Sequence, residues 1–205
     1  MEHLTGAPLV VAGHRRPYPG ESENGDAWFV HIIDGAYRVV LVDGVGHGGP
    51  AAHSAAIVST VLEELPSLDP ADVLQRCHQR LHGERGAVVA IAVFRVGERT
   101  LTIAGVGNVA SYLLGNEREQ HLLTQRGLLG STIPTIRSTV IALPDGEWAF
   151  AMHSDGLHSK FTLLESELHG LDEPALSQLA VSLLDQYERA DDDASLVLVT
   201  PRTGG

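Results

Sequence analysis

Four aspartates fall where apolar, strand-forming runs begin or end, positions from which a carboxylate can be presented to a shared site. Asp26 opens Asp-Ala-Trp-Phe, and Asp43 closes an apolar run in Leu-Val-Asp-Gly-Val-Gly-His-Gly. Asp155 sits in His-Ser-Asp-Gly-Leu, and Asp192 is the middle member of Asp191-Asp192-Asp193, just before Ala-Ser-Leu-Val-Leu-Val. Any one of them alone reads as a turn former or a helix cap. Together they form an oxygen-only donor set. Two are followed by glycine, which permits close backbone approach and leaves a carbonyl free, and such donors suit Mg²⁺ or Mn²⁺ far better than zinc.

Other chemistries fit less well. Cys77 lies inside a predicted helix with Gly83 six residues on, so the phosphate loop of a cysteine-based phosphatase is missing. His47 and His153 adjoin motif aspartates and are candidates to protonate a leaving group, although a histidine beside a turn commonly serves only as a hydrogen-bonding residue. Arg15-Arg16 reads as a solvated basic step and is given no role. Gly44-Val-Gly46-His-Gly-Gly49 formally satisfies the dinucleotide fingerprint, but Asp43 would aim a carboxylate at the incoming pyrophosphate, and no parallel βαβ repeat follows. A P-loop needs Gly-Lys, whereas the sole lysine, Lys160, follows Ser159.

The elements that must position these residues are legible in outline. Residues 8–12, 27–33 and 37–42 are short and rich in Val and Ile, and Asp34-Gly35 is a hairpin signal between the last two. Pro50 then opens a helix whose apolar stripe is Ala51, Ala55, Val58, Leu62 and Leu65, ending before Pro66. A second helix follows Asp69-Pro70, with Val73, Leu74, Cys77 and Leu81 on one face. Segments 87–96, 100–106 and 109–115 read as a meander, and 138–143 with 147–153 as a hairpin around Pro144-Asp145-Gly146. Residues 174–188 read as a helix and 195–200 as a closing strand. Strands and helices that do not alternate regularly, joined mostly by hairpins, predict an α+β fold of two antiparallel sheets covered by helices.

Composition narrows the function classes. The 205 residues fit one domain spanning 1–205, without repeat or linker. The formal net charge of −12, with thirteen arginines and one lysine, argues against binding nucleic acid or an anionic membrane. The lone cysteine and the absence of any apolar run near the ~20 residues of a membrane span predict a cytoplasmic protein.

The motifs in order are Gly25-Asp26, Val42-Asp43-Gly44-Val-Gly-His-Gly48 opening a helix, Ala104-Gly105-Val106-Gly107-Asn108, Ser154-Asp155-Gly156-Leu157 and Asp192-Asp193-Ala194-Ser195. In type, order and spacing they resemble the PPM-type metal-dependent protein phosphatases, in their SpoIIE- and RsbX-like bacterial branch. The resemblance implies a four-layer αββα sandwich and two Mn²⁺ or Mg²⁺ ions that share and activate a water. It implies that Asp43 bridges the two metals and that the Gly44 carbonyl ligates one. Asp155 and Asp192 would complete the other site, while Asp26 would hold or orient water at the first. In eukaryotic relatives an acidic residue precedes the first aspartate, where this chain has Gly25, and their phosphate-binding arginine has no certain counterpart here. The implied activity is hydrolysis of phosphoserine or phosphothreonine on a bacterial stress or sigma-factor regulator of the anti-sigma-antagonist or stressosome type. The competing reading is an inactive phosphatase-like binding module. Partner choice is expected to lie in loops such as 116–137.

Overall fold

The computed structural model describes residues 8–116, 118–133, 135–158, residue 163, 167–189 and 191–202. Two five-stranded antiparallel sheets lie face to face, and helices cover both outer surfaces, giving the four layers expected. One sheet is ordered β2 (Asp26–Ile33), β3 (Ala36–Gly44), β4 (Ala87–Arg95), β5 (Thr100–Val106), β8 (Thr139–Ala142). The other is ordered β1 (Leu9–Arg16), β10 (Ala194–Pro201), β9 (Trp148–His153), β6 (Ala110–Gly115), β7 (Arg118–His121). Helices α1 (Gly49–Glu64) and α2 (Pro70–Arg80) cover the first sheet, and α3 (Glu173–Tyr187) covers the second.

The period-two alternation of the strands decides which core each side chain enters. On β3, Val40 and Val42 join Val58, Leu62, Val73 and Leu74 beneath the helices, while Val39 and Leu41 point into the seam between the sheets. On β4, Val89, Ile91 and Val93 face the helices, and Ala90, Ala92 and Phe94 face the seam. There Phe94 stacks on Trp148 at 5.6 Å and meets Phe150 edge-on at 5.1 Å, which ties the two sheets together. The third core packs Leu176, Ala180 and Leu184 of α3 against Leu196 and Leu198.

The end of α1 is fixed from outside the helix. Arg38 on β3 is buried, and its guanidinium donates to the carbonyls of Leu62 (2.6 Å), Leu65 (2.7 Å) and Ser67 (3.1 Å). It satisfies orphan carbonyls at the helix C-terminus, just where Pro66 stops the helix. At the β2–β3 hairpin Asp34 and Gly35 both take positive φ, as the Asp-Gly signal predicts.

Two expected connections are corrected. Segments 138–143 and 147–153 are not a hairpin: β8 pairs with β5 in one sheet, while β9 lies between β10 and β6 in the other. Arg99, in left-handed conformation, pins this crossing by donating to the Pro144 carbonyl (2.9 Å) and pairing with Asp145 (2.6 Å). The meander also breaks after β5, because β6 pairs with β9 and β7 rather than with β5. The 116–137 region, read as loop, contains the exposed strand β7.

Candidate functional site: an acidic cluster at one end of the sandwich

The four aspartates come from both sheets. Asp26 starts β2 directly opposite Asp43 at the end of β3, so one sheet contributes a cross-strand pair of carboxylates. Asp155 follows β9 and Asp192 precedes β10, two neighbouring strands of the other sheet. The backbone Ser154 N–H donates to the Ser195 carbonyl at 3.1 Å, and the Ser195 N–H donates to Ser154 Oγ at 3.0 Å, fixing the second pair of termini against each other. The sheet seam therefore closes at this end with two acidic edges facing.

Electrostatics shows how near they are. Burial, then the neighbouring charges of Asp26, Asp155 and Asp192 and a hydrogen bond to Asp155, push Asp43 up to about 9. Burial raises Asp26 to about 7, and the charges of Asp193 and Asp192 add to that, partly offset by the Ser154 and Ser195 hydroxyls. Burial and Asp155 raise Asp192. Asp26 is 1% exposed and its Oδ2 has no aligned donor, so the serine hydroxyls satisfy the carboxylate only in part. A buried, incompletely satisfied carboxylate beside others of its kind is the environment a hard divalent cation compensates. Among the described residues no three Asp, Glu, His or Cys side chains close around one point. The donors themselves are oxygens, the class a hard divalent cation takes.

Supporting contacts single out residues that sequence reasoning passed over. Asn108 lies where the chain crosses from β5 to β6, and its Nδ2 donates to Asp155 Oδ2 at 2.7 Å. It is the asparagine of the Gly107-Asn108 motif, to which the sequence alone assigns no role. Asp193 is 3% exposed, and its two oxygens accept from the backbone N–H of Tyr18 (2.8 Å) and Gly25 (3.1 Å). It clamps both ends of the β1–β2 loop, and Asp191 is exposed and paired with Arg189, which leaves Asp192 as the member of the aspartate run whose charge acts on Asp43. The clamp also accounts for Gly25: a Cβ there would lie 2.5 Å from the Ala51 Cβ and 2.8 Å from Asp193 Oδ2, so no acidic side chain fits. At Gly156 a Cβ would come within 1.9 Å of the Asp193 carbonyl, so the Ser-Asp-Gly turn also depends on close backbone approach.

The basic step and the histidines resolve into separate tasks. Arg15 donates to the Asp26 carbonyl at 2.9 Å, whereas Arg16 turns away to pair with Asp185 and Glu188 around the end of α3. His47 stacks on Tyr18 at 4.3 Å and its Nδ1 lies 3.1 Å from Glu21 Oε1, binding it into the β1–β2 loop. His153 is buried, with Nδ1 2.7 Å from the Ser154 carbonyl and Nε2 3.3 Å from the Tyr112 hydroxyl. Burial lowers its pKa, and with both nitrogens engaged it holds the strand end rather than a mobile proton.

Comparison with known proteins agrees with the two-sheet fold. The Stage II sporulation protein E (SpoIIE) family pattern matches residues 33–202. Phosphoserine phosphatase RsbX of Bacillus subtilis is 29% identical over 140 residues, 68% of this chain and 70% of RsbX. A solved structure described under the bacterial stressosome, a modular system adapted to control secondary messenger signaling, superposes with a TM-score of 0.84 at 27% identity, covering 93% of this chain and 98% of that one. RsbX in complex with magnesium superposes at 0.80 with 24% identity, over 94% and 95% of the two chains. These structures share the PP2C phosphatase fold. With a family pattern spanning residues 33–202, most of the residues that build the two sheets, the chain belongs to the SpoIIE family.

Proposed function

We propose that the chain is a single-domain, metal-dependent serine/threonine protein phosphatase of the cytoplasm, acting on a phosphorylated bacterial regulatory protein of the stressosome or anti-sigma-antagonist type. The observation that carries this reading is the meeting of Asp26, Asp43, Asp155 and Asp192 at one end of the sandwich, with Asp26 Oδ2 unsatisfied. Asp43, Asp155 and Asp192, with the Gly44 carbonyl, would hold two Mn²⁺ or Mg²⁺ ions, and Asp26 would orient the attacking water. Such ions, when bound, supply a nucleophile at neutral pH and neutralise charge on the phosphoryl group. The protein's share is positional: Asn108 orients Asp155, Asp193 sets the loop that delivers Asp26, and the buried setting strengthens each interaction. The 29% identity to a phosphoserine phosphatase supports the ester class, and the stressosome likeness supports the kind of partner.

The test incubates the purified protein and Mn²⁺ with phosphorylated regulators of this type and follows phosphate release. Release that stops on chelation is expected. Metal-independent release, or cleavage of phosphotyrosine with the regulators untouched, overturns the reading. The alternative, an inactive binding module, is opposed by a carboxylate set complete at all four positions.

A further inference from the structure

A cleft of about 810 Å³ opens beside the acidic cluster, between the β1–β2 loop, β2 and α1. Its lining includes Ala27, Trp28 and Phe29 in succession. Consecutive strand residues point to opposite faces, so all three can line one cleft only if it runs along the strand's edge. Among the described residues β2 is an edge strand, paired only with β3, so this edge offers strand hydrogen-bonding positions to whatever occupies the cleft. The opposite wall is one face of α1, built from Ala52, Ala56, Ser59 and Thr60, which are small enough to leave space for a main chain.

The cleft abuts the backbone of Asp26, while no carboxylate of the cluster lines it. Arg15 and Asn24 line it, and both bind the backbone of Asp26: the guanidinium donates to the Asp26 carbonyl at 2.9 Å, and Asn24 Oδ1 accepts the Asp26 N–H at 2.8 Å. Arg15 and Glu23 are the charged residues of the lining, so the cleft offers apolar and main-chain contacts with little net charge. A small phosphate ester needs no such surface. A phosphoserine within a polypeptide must bring its flanking chain, and an extended chain beside an edge strand is a recurrent mode of peptide recognition.

We propose that this cleft docks the polypeptide of the substrate, extended along the free edge of β2, with the phosphoserine at the Asp26 end and small or apolar residues against Trp28, Phe29 and α1. The proposal rests on the phosphatase reading above and adds where the substrate chain lies. Charge complementarity contributes little; backbone pairing and apolar contact hold the segment.

The experiment compares kcat/KM for a phosphoserine peptide of about nine residues, long enough to form a typical strand beside the ester, with kcat/KM for para-nitrophenyl phosphate, both with Mn²⁺. Ala56→Arg and Thr60→Arg fill the cleft from exposed helical positions, and Gln75→Arg on the exposed side of α2 is the control. The peptide-to-aryl ratio is expected to fall about tenfold or more in the cleft variants, the loss of roughly 1.4 kcal/mol of binding, and to hold in the control. A ratio falling less than about fivefold, with both substrates still hydrolysed, overturns the docking proposal and leaves the phosphatase reading intact. Sedimentation decides a further outcome: if the variants change self-association and not the ratio, the cleft is an interface between copies and the proposal fails. Absence of metal-dependent hydrolysis of either substrate by the unmodified protein sinks both readings together.

Discussion

Replacing Asp193 by asparagine separates a structural clamp from the proposed metal ligand within three adjacent aspartates. Its carboxylate accepts two backbone N–H groups, from Tyr18 at 2.8 Å and Gly25 at 3.1 Å, in a site only 3% exposed. Hydrogen bonds to a charged acceptor are worth about 1.5–3 kcal/mol each. An asparagine keeps one acceptor and turns an amide N–H₂ towards the other donor, so one bond is lost and a buried N–H is orphaned, at a cost of about 2–4 kcal/mol. One term opposes this. The Asp193 charge raises the pKa of Asp26, so removing it relieves repulsion within the metal-free cluster, but it ranks below burial and the two serine contacts among the causes. The net expectation is a loss of about 2 kcal/mol, or roughly 1 M in the urea midpoint at a slope near 2 kcal/mol/M. Asp192→Asn behaves oppositely without metal: it removes a charge raised by burial and by Asp155, keeps its acceptor for the Asp193 N–H, and leaves stability equal or higher. Urea denaturation in EDTA measures both variants, and Mn²⁺ calorimetry then shows the affinity loss at Asp192→Asn. A midpoint for Asp193→Asn within about 0.2 M of the unmodified protein, or a larger loss for Asp192→Asn, would refute the assignment.

Asp43→Asn and Asp155→Asn each abolish Mn²⁺-dependent phosphate release while retaining the folded circular-dichroism signal; retained turnover in either removes it from the site. The metal-free protein loses stability as pH rises. Asp26 and Asp43 are raised from 3.8 to about 7 and about 9, so the folded state binds more protons than the unfolded one between these values. Their contribution is complete below about pH 4 and is lost through the folded pKa values, so the melting temperature in EDTA falls from pH 5 to 9 and Asp43→Asn flattens the slope. A flat or rising profile contradicts this. Cys77 is fully buried with its thiol pushed up to about 12 by burial, so iodoacetamide leaves the native protein unmodified and active; rapid alkylation without unfolding would show an accessible thiolate instead.

The sequence carried much of the fold because burial acts through period: the β3 and β4 runs alternate between two cores, and Asp34-Gly35 can make the turn it does only with positive φ. It did not carry the crossings between sheets. A strand, a short polar turn and another strand look alike whether the second strand folds back or passes to the opposite sheet. What decides at Pro144-Asp145-Gly146 is the contact with Arg99, more than forty residues away in the chain. The exposed strand β7, Arg-Glu-Gln-His, buries no side chain and so leaves no alternation to read. In the candidate site, the strand-end aspartates and their glycines were visible as a set. The division of labour between Asp192 and Asp193 was not, because three identical residues differ only in what folds against them. Arg15 gave no signal either, since its partner is a backbone carbonyl that any residue would supply.

Strand order also sets a timetable for synthesis. The sheet holding β2, β3, β4, β5 and β8 draws only on residues 26–142, together with the two helices that cover it, so its pairings are available while the remaining chain is still emerging. β1 leaves the ribosome before all of these, yet among the described residues its sole strand partner is β10, residues 194–201. For most of translation β1 is therefore an unpaired apolar edge, and the loop that carries Gly25 lacks the carboxylate that ties it down. Contacts of such sequence separation form slowly, after the local ones. The acidic end is thus assembled last, by β10, and a nascent chain halted short of Asp192 holds the first sheet but lacks the strand that joins β1 to β9 and the last of the four carboxylates.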